Sequence, residues 1–185
     1  MSDRDAINGV RLASLIGAIA GTIFILVNAG GTGDAAAPIR IAGVALFVAA
    51  VWWGVVRAPS GPLPPAPTPQ SWRVYRISVL AELIAIPVGA NIINRMFDRS
   101  ELTVLWVVAV VGFHFLPFAK AFGAPVYRWL GVAMILLAAV GTLITLAFDM
   151  SAAPAWFAVG AGVALLSFSI AGPRKSALTV TSARP

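Results

Sequence analysis

No feature constrains this chain more than the distance between its charges: residues 129–148 run for twenty positions without one. A helix rises about 1.5 Å per residue, so twenty residues cover a hydrocarbon core of about 30 Å. The pattern recurs at residues 12–31, at 41–56 between Arg40 and Arg57, at 102–119 and at 155–172, and at 77–94 between Arg76 and Arg95 with a single interruption, Glu82. The predicted fold is all-α, a polytopic membrane bundle of six transmembrane helices arranged as three hairpins within a single domain, 1–172. Residues 173–185, rich in Ser, Thr and Arg, are predicted to form a disordered cytoplasmic tail.

Composition supports the same class. Apolar residues make up 59% of the 185 and charged residues 11%, with a mean hydropathy of +0.91, whereas a soluble domain carries about a quarter charged residues. The first stretch also has the outline of a signal peptide, with Arg4 and Arg11 ahead of an apolar run and Val27-Asn28-Ala29 as a small-residue site. Its retention as a spanning helix is the expectation.

The thirteen Lys and Arg residues are unevenly placed. Arg4, Arg11, Arg57, Arg73, Arg76, Lys120, Arg128, Arg174, Lys175 and Arg184 fall on one side of the six spans, and Arg40, Arg95 and Arg99 on the other. The positive-inside rule then puts both termini in the cytoplasm. Trp52, Trp53, Trp72, Tyr75, Tyr127 and Trp129 fall at the inner boundary, and Trp106 and Trp156 at the outer one, as aromatic belts do. High basicity is thus read as topology, and nucleic acid is not an expected partner. Arg far outnumbers Lys, which suits a bacterial gene and a plasma-membrane location.

Several chemistries are absent from the sequence. Without cysteine there are no disulfides, thiolate metal sites or cysteine nucleophiles, and the single histidine, His114, cannot build a multi-histidine centre. No phosphate loop, HExxH motif, nucleophile elbow or carboxylate pair occurs. No catalytic residues, metal or cofactor are therefore expected. An enzyme acting on lipid has only a lone Glu and His in its favour.

That Glu and His form the main candidate site. Ionisable residues at membrane depth are costly and by default functional. Glu82 lies six residues beyond Arg76 and His114 six before Lys120, so each sits about 9 Å from its nearest cytoplasmic-side cation. Ser78, Glu82, Ala85 and Gly89 share one helical stripe of mostly small residues, which admits a close neighbour. The pair reads either as a proton-sensitive site of a carrier or channel-like protein, with a small molecule or ion as ligand, or as a buried contact that locks two helices of a scaffold or accessory subunit.

Further candidates surround the pair. Pro87 and Pro117 are expected to kink their helices, and Phe113 and Phe118 to line a cavity near His114 that holds an apolar or cationic ligand or, on a weaker reading, a haem. The alternative is plain aromatic packing. Asn91, Asn94 and Arg95 are candidates for an outer vestibule or for an interfacial anchor. Gly17 and Gly21 form a GxxxG pair that suits packing within the bundle or a homo-oligomer face, and the six-proline loop 58–72 suits a stiff spacer or a contact for a membrane-protein partner.

A weak internal repeat completes the reading. Val74-Tyr75-Arg76 and Val88-Gly89 recur 52 residues later as Val126-Tyr127-Arg128 and Val140-Gly141. The spacing implies parallel rather than inverted hairpins.

Overall fold

A computed structural model describes the backbone of residues 3–57 and 68–181, and side chains within 11–57 and 68–171. The described residues are helical throughout, with no strand. The helices are α1 (Asp3–Asn28), α2 (Ala36–Val51), α3 (Pro69–Met96), α4 (Thr103–Ala121), α5 (Pro125–Phe148) and α6 (Ala153–Thr181), with short connections between α1 and α2 and from α3 through α6. Residues 58–67, most of the proline-rich loop, lie outside the described part.

Five helical segments are long and apolar enough to cross a membrane: Arg11–Val56, Pro69–Met96, Ser100–Ala121, Pro125–Phe148 and Ala153–Ala171. The first, 46 residues long, would reach about 69 Å if straight, but it folds back. Its connection, the 3-10 stretch Ala29–Ala35, contains Gly33 at φ 67° and ψ −133°, a conformation open essentially to glycine alone. Beyond it α2 lies against α1, with Ile25 packed onto Gly43 and the Arg40 Nε donating to the Leu26 carbonyl at 3.3 Å. The predicted stretches 12–31 and 41–56 are the two arms of this segment.

Helix starts differ from the sequence expectation for a local reason. Thr68 caps α3, accepting from the Ser71 N–H at 3.1 Å, and Pro69 occupies the first turn, where its missing N–H costs nothing. Pro125 does the same for α5. Each helix therefore begins several residues before its apolar run. At the other end, α6 remains helical to Thr181, past Pro173, where an unstructured tail was predicted.

Helix α6 is the hub, packing on α1, α2, α4 and α5, while α3 packs chiefly on α4. Val108, Leu130, Met134, Ala138, Ala158, Ala161 and Leu165 form one core cluster, and Ala18, Ile25, Ala50 and Leu166 another. The closest crossings are backbone to backbone. A Cβ on Gly162 would lie 2.6 Å from the Gly21 carbonyl oxygen, and one on Gly131 would lie 2.7 Å from that of Gly112. Gly17 and Gly21 thus pack against α6 within the bundle. The Ser169 hydroxyl adds a buried bond to the Ser14 carbonyl at 2.6 Å, which also fastens α6 to α1.

Candidate functional site

Helix α3 turns a single stripe toward α4. Ser78, Glu82 and Ala85 are partly buried and Gly89 fully, whereas Ile77, Leu80, Leu83, Ile84 and Val88 on the other faces are exposed. The i, i+4, i+7, i+11 spacing read from the sequence is the contact stripe.

Three hydrogen bonds hold α3 to α4 along that stripe. At one end the buried Ser71 Oγ donates to the Ala121 carbonyl at 2.5 Å, satisfying one of the acceptors left open where α4 ends. Near the middle, the Trp106 Nε1 donates to the Ala85 carbonyl at 2.9 Å. Its indole lies over Gly89, where any Cβ would collide with the ring. At the far end the Thr103 hydroxyl donates to Asn94 Oδ1 at 2.9 Å.

Between Ser71 and Trp106 sits the acid and base pair. His114 Nδ1 lies 3.0 Å from Glu82 Oε2, with side-chain exposures of 11% and 23%. The oxygen does not lie along the ring N–H direction, so the buried Nδ1 has no aligned hydrogen bond. At this separation the two groups are close enough to exchange a proton.

Aromatic rings surround the imidazole. Phe118 meets it edge-on at 4.4 Å and Phe115 at 5.4 Å. Tyr75 stacks on Phe118 at 5.6 Å, Tyr127 stacks on Phe115 at 6.0 Å, and Tyr127 also meets Phe118 edge-on. The two tyrosines of the repeated Val-Tyr-Arg segments therefore converge on one face of α4, from α3 on one side and α5 on the other. The repeated glycines also do comparable work: Gly89 receives Trp106, and Gly141 receives Phe157 and Leu105.

The remaining candidates separate. Phe118, 7% exposed, joins the cluster, but Phe113 is 58% exposed and points away from it. Pro87 and Pro117 are also exposed, and both helices continue through them. Asn91, Asn94 and Arg95 are exposed. Asn91 Nδ2 instead donates back to the Pro87 carbonyl at 2.9 Å, and Asn94 is taken by Thr103.

A second polar group, unremarked in the sequence, lies between the helix connections at the Asn94 end of α3. Arg99 contacts Asp149 at 3.3 Å and Glu101 at 3.4 Å. Those acids, Asp149 first, hold the guanidinium further above its ordinary value. Asp149 ends α5 in the left-handed conformation, φ 50°, and the contact ties the α3–α4 connection to the α5–α6 one.

Among the described residues, no group of three or more His, Asp or Glu side chains is placed to hold a metal. Comparison with family models, curated proteins and solved structures found no match for this chain.

Proposed function

We propose that this chain is a multi-pass protein of the bacterial plasma membrane, a carrier or channel-like protein for a small solute or ion, in which a proton shared by Glu82 and His114 governs passage. In this reading both arms of Arg11–Val56 cross the bilayer, making six crossings in three hairpins with both termini cytoplasmic, as the placement of Lys and Arg requires.

One observation carries the assignment. The carboxylate and imidazole meet at 3.0 Å without an aligned hydrogen bond, on a helix pair already fastened by Ser71, Trp106 and Thr103. A costly ionisable pair that is redundant as a fastener is better explained by proton transfer than by packing. In reconstituted vesicles, flux through the wild type should vary with pH, and Glu82→Gln and His114→Ala should each abolish that variation while the fold persists. Unchanged flux in both variants would overturn the proposal.

The competing reading, a non-catalytic scaffold or accessory subunit, draws on the fact that the pair does bridge α3 and α4. It predicts a lower melting temperature in the same variants, no flux in any of them, and a defined partner captured by crosslinking in native membranes.

A further inference from the structure

From the exposed end of α3 to Glu82 the side chains form an unbroken series. Trp72, 52% exposed, meets Tyr75 edge-on at 5.8 Å, and Tyr75, 38% exposed, stacks on Phe118 at 5.6 Å. Phe118 then abuts His114 at 4.4 Å, and His114 reaches Glu82 at 3.0 Å. Exposure falls along the rings from Trp72 inward, yet Glu82 keeps 23% of its side chain accessible. Because α3 packs chiefly on α4, the outer members of this series, Trp72 and Tyr75, lie on the perimeter of the bundle within reach of molecules dissolved in the bilayer, and Phe118 and His114 lie beneath them.

The chemistry of the series selects a ligand. Ring faces attract cations, and most strongly those with little hydration to lose. A carboxylate in a low-dielectric setting supplies the matching charge. Small metal ions need several oxygen or nitrogen ligands, and Glu82 has only the single imidazole beside it among the described residues. Anions are opposed by the carboxylate itself.

We infer that Glu82 binds a lipophilic organic cation that enters sideways from the bilayer over Trp72 and Tyr75, and that it does so in exchange for the proton held by the Glu82–His114 pair. The inference rests on the reading of that pair as a proton site and names its substrate class. The balance is one for one. With the proton bound, the pair carries no site for a second positive charge; when the cation arrives, the proton leaves to water and the carboxylate faces the ligand. The titratable group in contact with Glu82 is His114 on α4; Tyr75 on its own helix and Tyr127 on α5 pack against Phe118 beside that imidazole, and Arg73, Arg76 and Lys120 lie exposed toward the Trp72 end.

The test uses the full chain in lipid nanodiscs with tetraphenylphosphonium as the probe, and empty nanodiscs set the partition background. Titration calorimetry in two buffers of different ionisation enthalpy should give about one proton released per cation, and affinity should fall about tenfold per pH unit on the acid side. Glu82→Gln should lose both effects. Glu82→Asp should keep proton-coupled binding at lower affinity, which shows that the loss is not misfolding. Trp72→Leu and Tyr75→Leu should weaken binding several-fold, and tetraphenylborate, of the same shape and opposite charge, should not bind.

Infrared difference spectra separate the two levels of the argument. A carboxyl band that titrates in wild type and is missing in Glu82→Gln, together with phosphonium binding that is absent or equal in the two proteins, would overturn this inference and leave the proton site standing. Absence of the band would overturn both.

Discussion

Where α1 crosses α6, Gly21 and Gly162 let two backbones touch, and the Ser14 carbonyl accepts the Ser169 hydroxyl in a buried bond. Where α3 meets α4, one stripe of small residues is crossed by three hydrogen bonds and an acid and base pair, and the rest of α3 is exposed. The first contact has no slack, because a close-packed crossing of backbones offers nothing that can rotate away. The second is a set of discrete links along a helix with one main neighbour. Its links can be lost one at a time, which is what the proposed proton site would require of the element that carries it.

The largest effect should come from filling the first contact. In Gly162→Leu the new Cβ would lie 2.6 Å from the Gly21 carbonyl and 2.7 Å from Ile25 Cγ1. Neither neighbour has an easy alternative: one is backbone, and Ile25 is buried and already seated on Gly43. A loss of about 3 kcal/mol or more is expected, measured by detergent-induced or thermal unfolding. A variant as stable as wild type would show that α1 and α6 are not held as described.

A smaller effect is expected at the second contact. Trp106→Phe removes the indole donor from the Ala85 carbonyl while keeping a ring above Gly89. Interhelical hydrogen bonds in membranes contribute about 0.6 kcal/mol on average, so the melting temperature should fall by a few degrees and the fold should persist. The informative readout is crosslinking between α3 and α4, which should fall in this variant and stay unchanged in Gly162→Leu protein that has folded. A large loss of stability would mean that α3 is as rigidly held as α1.

These contrasts explain how much was legible beforehand. The helices were visible because charge and hydrophobicity alternate at bilayer length, and their early starts at Pro69 and Pro125 were missed because Gln70, Ser71, Arg73 and Arg128 are polar. Only the cap and first-turn proline mark them. The Glu82 stripe was legible because it depends on one helix alone. The common depth of Glu82 and His114 was legible from their matching distances to flanking cations, but their contact was not, because it depends on how α3 and α4 turn toward each other.

The aromatic assignment failed by one residue and for an avoidable reason. His114 and Phe118 are four apart and share a face, whereas Phe113 is turned about 100° away. In the outer polar set Asn91 bonds to the nearby Pro87 carbonyl, as Asn readily does, and Asn94 to Thr103. Trp106 over Gly89 was not legible at all, since it depends on how α3 and α4 slide past each other.

The smallest effect should come from the ends, and it bears on whether α3 is held by its connection or by its stripe. Arg99 links Asp149 and Glu101 at 3.3 and 3.4 Å with the guanidinium and Asp149 largely exposed, and exposed ion pairs contribute little because water and salt screen them. Since the acids raise the Arg99 value from one already far above neutrality, the arginine stays charged throughout the physiological range and no pH step should arise from its own titration. Arg99→Ala should therefore lower the melting temperature by no more than about 2 °C at low salt, and 1 M salt should abolish even that difference. Proton-coupled binding at Glu82 should be unaffected, because the clasp restrains a connection that precedes α4 and leaves Ser71, Trp106 and Thr103 in place. Binding that weakened several-fold in Arg99→Ala would locate control of the site in the α3–α4 connection rather than along the stripe.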